Sequence, residues 1–209
     1  MIRLHLIRHG ETDWNVLRRV QGHSESQLTP TGIDQARQLH KYLSAFPIEQ
    51  VYCSSSQRTR DTARLLFPEA KFTIKYMDEL REIFLGPWEG QLYSDLEQTH
   101  GEQFTNFWQY PHMFSVSGAE SFAELQRRSV AAIEKILHDK PAQEFAIVSH
   151  GAFLKALLCH YEKRPLAALW QPPQMHNCAH SLLEIQPDQQ TRILRYAGIE
   201  WPPVSETSA

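Results

Sequence analysis

Two short apolar runs that end alike constrain this chain most. Ile2-Arg3-Leu4-His5-Leu6-Ile7 stops at Arg8-His9-Gly10, and Glu144-Phe145-Ala146-Ile147-Val148 stops at Ser149-His150-Gly151. Each run is brief, rich in branched and apolar side chains, and broken at a glycine, so each reads as a buried strand running into a tight loop. Helical patterns lie between the strands. Thr29 reads as an N-cap with Pro30 at the first helical position, and Ile33, Ala36, Leu39 and Leu43 follow at helical spacing. Strands alternating with helices predict an α/β fold, a three-layer α/β/α sandwich with a mostly parallel central sheet. Ligands of such sheets bind just beyond the carboxyl ends of the strands. Both His-Gly pairs are therefore expected on one edge, although about 140 residues separate them.

The other elements follow from the same reading. Residues 50–53 and 72–76 are expected as strands, and 57–67 as a helix stopped by Pro68. A helix over 121–137 is expected to bury Phe122, Leu125, Val130, Ile133 and Leu137. An apolar helix over 152–160 precedes late strands at 180–185 and 192–196, and the tail from Trp201 reads as poorly packed. The 209 residues suit one domain, 1–209, with a partly helical insertion at about 83–126. The 21 Lys and Arg against 24 Asp and Glu give a net charge of −3, which argues against a nucleic-acid binder. No apolar run is long enough for a membrane helix, and the first residues lack the apolar core of a signal peptide. Cys53, Cys159 and Cys178 are odd in number, widely spaced and without a CxxC motif, which predicts reduced thiols and a cytoplasmic location. Oligomeric state stays open, a homodimer included.

Leu6-Ile7-Arg8-His9-Gly10-Glu11-Thr12 resembles the signature of the histidine phosphatase superfamily, the phosphoglycerate mutase-like fold. Further blocks resemble that family in order along nearly the whole chain. They are Gln21-Gly22-His23 with Leu28-Thr29-Pro30-Thr31-Gly32, then 54–63 with Arg58 at the arginine position, and 80–90 with Glu82 at the acid position. Gly118-Ala119-Glu120-Ser121 is similar to a Gly-Glu-Ser helix start with one residue extra, and Val148-Ser149-His150-Gly151 matches the second histidine block.

The resemblance implies catalysis by His9, Glu82, His150, Arg8 and Arg58, with phosphate held by Arg8, Asn15, Gln21, Gly22, Arg58, His150 and Gly151. The chemistry fits those residue types. A neutral imidazole on His9 can attack phosphorus and form a phosphohistidine, splitting hydrolysis into two steps. Arg8, Arg58 and a protonated His150 would meet the charge spread over the equatorial oxygens. Glu82 would protonate the leaving alkoxide and then activate water, its pKa raised by burial or by the phosphate. Glu11 and Glu89 are rivals for that role, and Arg58 could instead pair with Asp61 or Asp13. The scheme needs no metal and no cofactor. His176-Asn177-Cys178-Ala179-His180 has metal-like spacing but lacks a second ligand cluster. His23, His100 and His112 are candidates for lining the pocket, while His5, His40, His138 and His160 read as packing or surface residues.

The resemblance covers hydrolases and mutases alike. A phosphoglycerate mutase must hold a second anion, and the family's mutases carry arginines and lysine in the insertion. Here residues 83–126 contain neither, but hold Glu89, Asp95, Glu97, Glu102, Glu120 and Glu124 and nine aromatic residues. The expectation is a metal-independent phosphomonoesterase of broad specificity or acting on α-ribazole phosphate. A cofactor-dependent phosphoglycerate mutase is the alternative, and a non-catalytic phosphate-ligand or protein-binding member the second.

Overall fold

A computed structural model describes residues 1–68, 72–139, 142–188 and 190–202. In chain order its elements are β1 (Ile2–Arg8), α1 (Asp13–Val16), α2 (Pro30–Leu43), β2 (Gln50–Ser54), α3 (Gln57–Leu66), β3 (Lys75–Met77), α4 (Tyr93–Thr99), α5 (Gly101–Gln109), α6 (Phe122–His138), β4 (Glu144–Ser149), α7 (Gly151–Tyr161), β5 (His180–Ile185), β6 (Thr191–Tyr196) and β7 (Ile199–Glu200). The strands form one sheet in the order β3-β2-β4-β1-β5-β6-β7. β1, β2, β3 and β4 pair in parallel, and β5, β6 and β7 add on antiparallel. Five of the seven strands thus point the same way.

Side-chain alternation across the pleat produces the three layers. Ile7, Val51, Cys53, Ala146 and Val148 face Ala36 and Leu43 of α2 and Ala63 and Leu66 of α3. Leu4, Leu6, Tyr52, Phe145 and Ile147 face the opposite side, in the core of α6 and α7. Both faces being covered explains why β1 and β4 read as nearly continuous apolar runs. The helix starts are chemical. Thr29 accepts the Gly32 N–H with Pro30 at N1, and Ser121 and Glu124 form a reciprocal capping box.

Several expectations shift. The third strand is Lys75–Met77, because only those residues reach the carboxyl end of β2, while Phe72 and Ile74 pack on the α2–α3 core. On α6 the buried stripe is Phe122, Leu125, Ser129, Ala132, Ile133 and Ile136, with Val130 and Leu137 at its border. Trp201 is packed, its ring 5.4 Å from Tyr196 and its N–H bonded to the Leu194 carbonyl. The rest of the expected loose tail, 203–209, lies outside the described residues. The segment 83–126 is partly helical through α4 and α5 and reaches the carboxyl edge of the parallel strands, where Tyr93, Phe107 and Trp108 line a cavity.

Candidate active site

Parallel pairing brings the two His-Gly pairs together. β1 and β4 are in register through Arg8 and Ser149, so His9 and His150 leave adjacent strands side by side. The His9 N–H bonds the Ser149 carbonyl at 3.1 Å, and the two imidazoles lie 5.4 Å apart, edge to face. Gly10 follows because nothing larger fits: a Cβ there would sit 2.6 Å from the Gly32 carbonyl oxygen. His9 is 3% exposed and His150 fully buried.

Hydrogen bonds settle the state of His9. Its Nδ1 lies 2.7 Å from the Gly10 carbonyl, which can only accept, so Nδ1 carries the proton and Nε2 keeps the lone pair. Burial first, then Arg58 and Arg8, hold this imidazole well below its ordinary range. His150 bonds Ser54 Oγ through Nε2 at 2.7 Å, and its buried Nδ1 has no partner among the described residues. Burial, then Arg58, keeps His150 well below its usual range too. Burial, with two guanidiniums close by, thus favours a neutral His150 ring over the expected imidazolium.

Both guanidiniums are anchored by carbonyls. Arg8 donates Nη1 to Met175 at 2.6 Å. Arg58, 1% exposed, donates to Ser24 at 2.8 Å and Gly22 at 2.7 Å, and burial pushes it down to about 10. It pairs with neither Asp61 nor Asp13; Asp61 instead meets Arg64. The buried Nε of each arginine has no partner among the described residues. Two amides are oriented by their oxygens. Asn15 Oδ1 accepts from Thr12 and from Asn177 Nδ2, and Gln21 Oε1 accepts from Ser26. Each therefore has its NH2 left to donate.

Glu82 takes up the N-terminus of α7. Its carboxylate accepts the N–H groups of Ala152 at 3.1 Å and Phe153 at 2.9 Å, together with its own neighbour Ile83 at 3.0 Å. The rivals are occupied elsewhere. Glu11 accepts from Thr29, and Glu89 collects Ser24, His23 and Leu85 into one loop beneath Gly22. A cavity of about 380 Å³ joins these groups. Arg8, His9, Asn15, Gln21, Gly22, Arg58, Glu82 and Gly151 all line it, whereas His150, fully buried beside His9, does not; Glu82 is the one carboxylate among the described lining residues.

Some residues fall where the sequence did not point. His23, His100 and His112 do not line the cavity; His23 donates Nε2–H to the Glu82 carbonyl, and the other two are exposed. Lys155, Trp170, Gln174, Met175 and His176 do line it. Lys155 could have been suspected, because it lies one turn after Gly151 on the same face of α7. The metal-like spacing at 176–180 dissolves: His176 faces the cavity, whereas His180 bonds His5 at 3.0 Å on the far side of the sheet. No helix among the described residues is long and apolar enough to cross a membrane.

Comparison with known proteins agrees with this geometry. The family model of the histidine phosphatase superfamily (branch 1) matches residues 4–197. The adenosylcobalamin/α-ribazole phosphatase of Escherichia coli is 33% identical over 172 residues, 81% of this chain and 83% of that one. The probable phosphoglycerate mutase GpmB of Salmonella choleraesuis is 32% identical over 192 residues, 90% of this chain and 87% of that one. Among solved structures, Bacillus stearothermophilus YhfR superposes with a TM-score of 0.92 at 34% identity, covering 96% of this chain and 98% of that one. In fold and in sequence the chain belongs to the histidine phosphatase superfamily.

Proposed function

We propose that the chain, working as one domain, hydrolyses small phosphomonoesters through a phosphohistidine on His9, with no metal. The observation that carries this reading is the His9–Gly10 bond, which leaves Nε2 as a lone-pair nitrogen in the cavity that Arg8 and Arg58 also line. Nε2 attacks phosphorus, an N–P bond forms, and the P–O bond to the leaving group breaks. Arg8, Arg58 and the NH2 groups of Asn15 and Gln21 donate to the phosphoryl oxygens, along with the backbone at Gly22 and Gly151. The incoming phosphate favours a protonated His150, which then adds a donor. Glu82 gives its proton to the leaving oxygen. It next takes one from water as that water attacks the phosphohistidine, releasing inorganic phosphate and restoring His9.

The leaving group would meet Tyr93, Phe107, Trp108 and Trp170, which suits α-ribazole phosphate or other esters with a planar leaving group. A mutase needs a second anion site. Apart from Arg8 and Arg58, the one lysine or arginine among the described lining residues is Lys155, whose ammonium already donates to Gln171 and Pro173. Turnover of p-nitrophenyl phosphate in excess chelator is the direct test. His9→Ala is expected to lose at least a thousandfold in kcat and all acid-labile phosphoenzyme. Persistent labelling of that variant would overturn the assignment of the nucleophile. Efficient interconversion of 3- and 2-phosphoglycerate would replace hydrolysis by the mutase reading.

A further inference from the structure

Lys155 is buried to 2% exposure, yet it belongs to no ion pair among the described residues. Its Nζ donates to the carbonyls of Gln171 at 2.6 Å and Pro173 at 3.1 Å, and lies 5.1 Å from the centre of the Tyr196 ring. The ammonium is thus spent on the segment 171–173. That segment is tied elsewhere as well. Downstream, Arg8 holds the Met175 carbonyl and Asn177 reaches both the His9 carbonyl and Asn15. Upstream, the Trp170 indole N–H donates to the Phe107 carbonyl, and its ring lies 5.3 Å from Trp108. A strap therefore runs from α5 of the insertion, past α7, to the nucleophile's own backbone.

Resting on the phosphomonoesterase reading, we infer that Lys155 is a positioning residue for leaving-group recognition: it pins the strap so that Trp170 stands against Trp108 as an aromatic wall. Removing the ammonium leaves two carbonyls of the strap without their donor, and the segment that places Trp170 loosens. The phosphoryl side keeps its own anchors: Arg58 is held by the Ser24 and Gly22 carbonyls, Glu82 by the start of α7, and the bonds of Arg8 to Met175 and of Asn177 to His9 and Asn15 do not involve Lys155. The effect should accordingly fall on binding of the leaving group and not on phosphorus chemistry. Lost uniform binding raises KM and spares kcat.

The test compares p-nitrophenyl phosphate with ethyl phosphate, whose leaving group is too small to use the wall. In Lys155→Met, KM for the aromatic ester should rise about tenfold with kcat within twofold, while kcat/KM for ethyl phosphate stays unchanged. Trp170→Ala should raise KM for the aromatic ester by a similar factor, and the double variant should add nothing further, because both remove one wall. Should Lys155→Met not fold, Lys155→Gln, which keeps one donor group, should give a smaller rise of the same kind. An equal loss on both esters, a loss in kcat, or multiplicative effects of the two substitutions would overturn the inference. If the wild-type chain turns over both esters and the variants match it, this inference fails alone; if the wild type turns over neither, the proposed function fails with it.

Discussion

An imidazole becomes a nucleophile at phosphorus when one nitrogen is protonated and fixed and the other is bare. The Gly10 carbonyl does the fixing at His9, and two guanidiniums oppose a second proton. Glu82 is held differently, by three backbone N–H groups, so its carboxyl is immobile at the cavity wall. In the proposed reaction the two residues serve different steps, and a good leaving group separates them. Nitrophenolate departs without a proton, so Glu82→Gln should still form phosphohistidine from p-nitrophenyl phosphate. The hydrolysis of that phosphoenzyme lacks its base and should slow by about 10²–10⁴-fold. Rapid-mix kinetics should then show a burst of nitrophenol and a trapped phosphoenzyme. A linear trace with no trapped species would remove Glu82 from the second step.

Between elements, α6 is the beam that carries Glu82, the proposed acid. Arg128 donates to the carbonyls of Glu79, Arg81 and Glu82 and forms a two-point pair with Glu120. Arg128→Leu is expected to cost about 1–3 kcal/mol in urea denaturation through unpaired carbonyls. It should also slow dephosphorylation about tenfold, a weaker copy of the Glu82→Gln effect; unaltered burst kinetics would deny the link. None of this was legible in the sequence, where Arg128 is one more polar residue on an amphipathic helix. What was legible had a local cause. Thr29-Pro30 and the Ser121–Glu124 box start their helices by hydrogen bonds within one turn. The apolar runs of β1 and β4 follow from burial on both faces, and their matching ends placed His9, Arg8, His150 and Gly151 on one edge. Long-range effects stayed hidden. Lys155 looks like the polar exception in an apolar helix until the strap is seen. The short β3 depends on how far β2 extends, and the lowered pKa of His150 depends on its burial and then on arginines from two other elements.

Across the whole molecule the same burial that readies the site makes the fold acid-sensitive. His5, His9, His23, His150 and His180 are all held below the ordinary histidine value, with burial the largest cause in each. At His5 the carboxylate of Glu144 opposes that shift from 2.9 Å without reversing it. When a native pKa is depressed in a base, the unfolded chain binds more protons throughout the interval between the two values. Stability is then full above the unfolded value near 6.5 and is lost as pH falls below it, toward the native value. His180 is pushed down to about 3 from 6.5 among Tyr42, Phe46 and His5, so it alone removes about 2 kcal/mol between neutrality and pH 5. The urea midpoint should therefore drop between pH 7.5 and 5, well before carboxylates titrate. His180→Phe should flatten that slope, whatever it does to the midpoint at neutral pH, since it deletes one proton-binding group from the unfolded chain. A midpoint constant from pH 7.5 to 5 would show that these rings protonate without unfolding the protein. The neutral site described for His9 and His150 would then have to yield to a charged one.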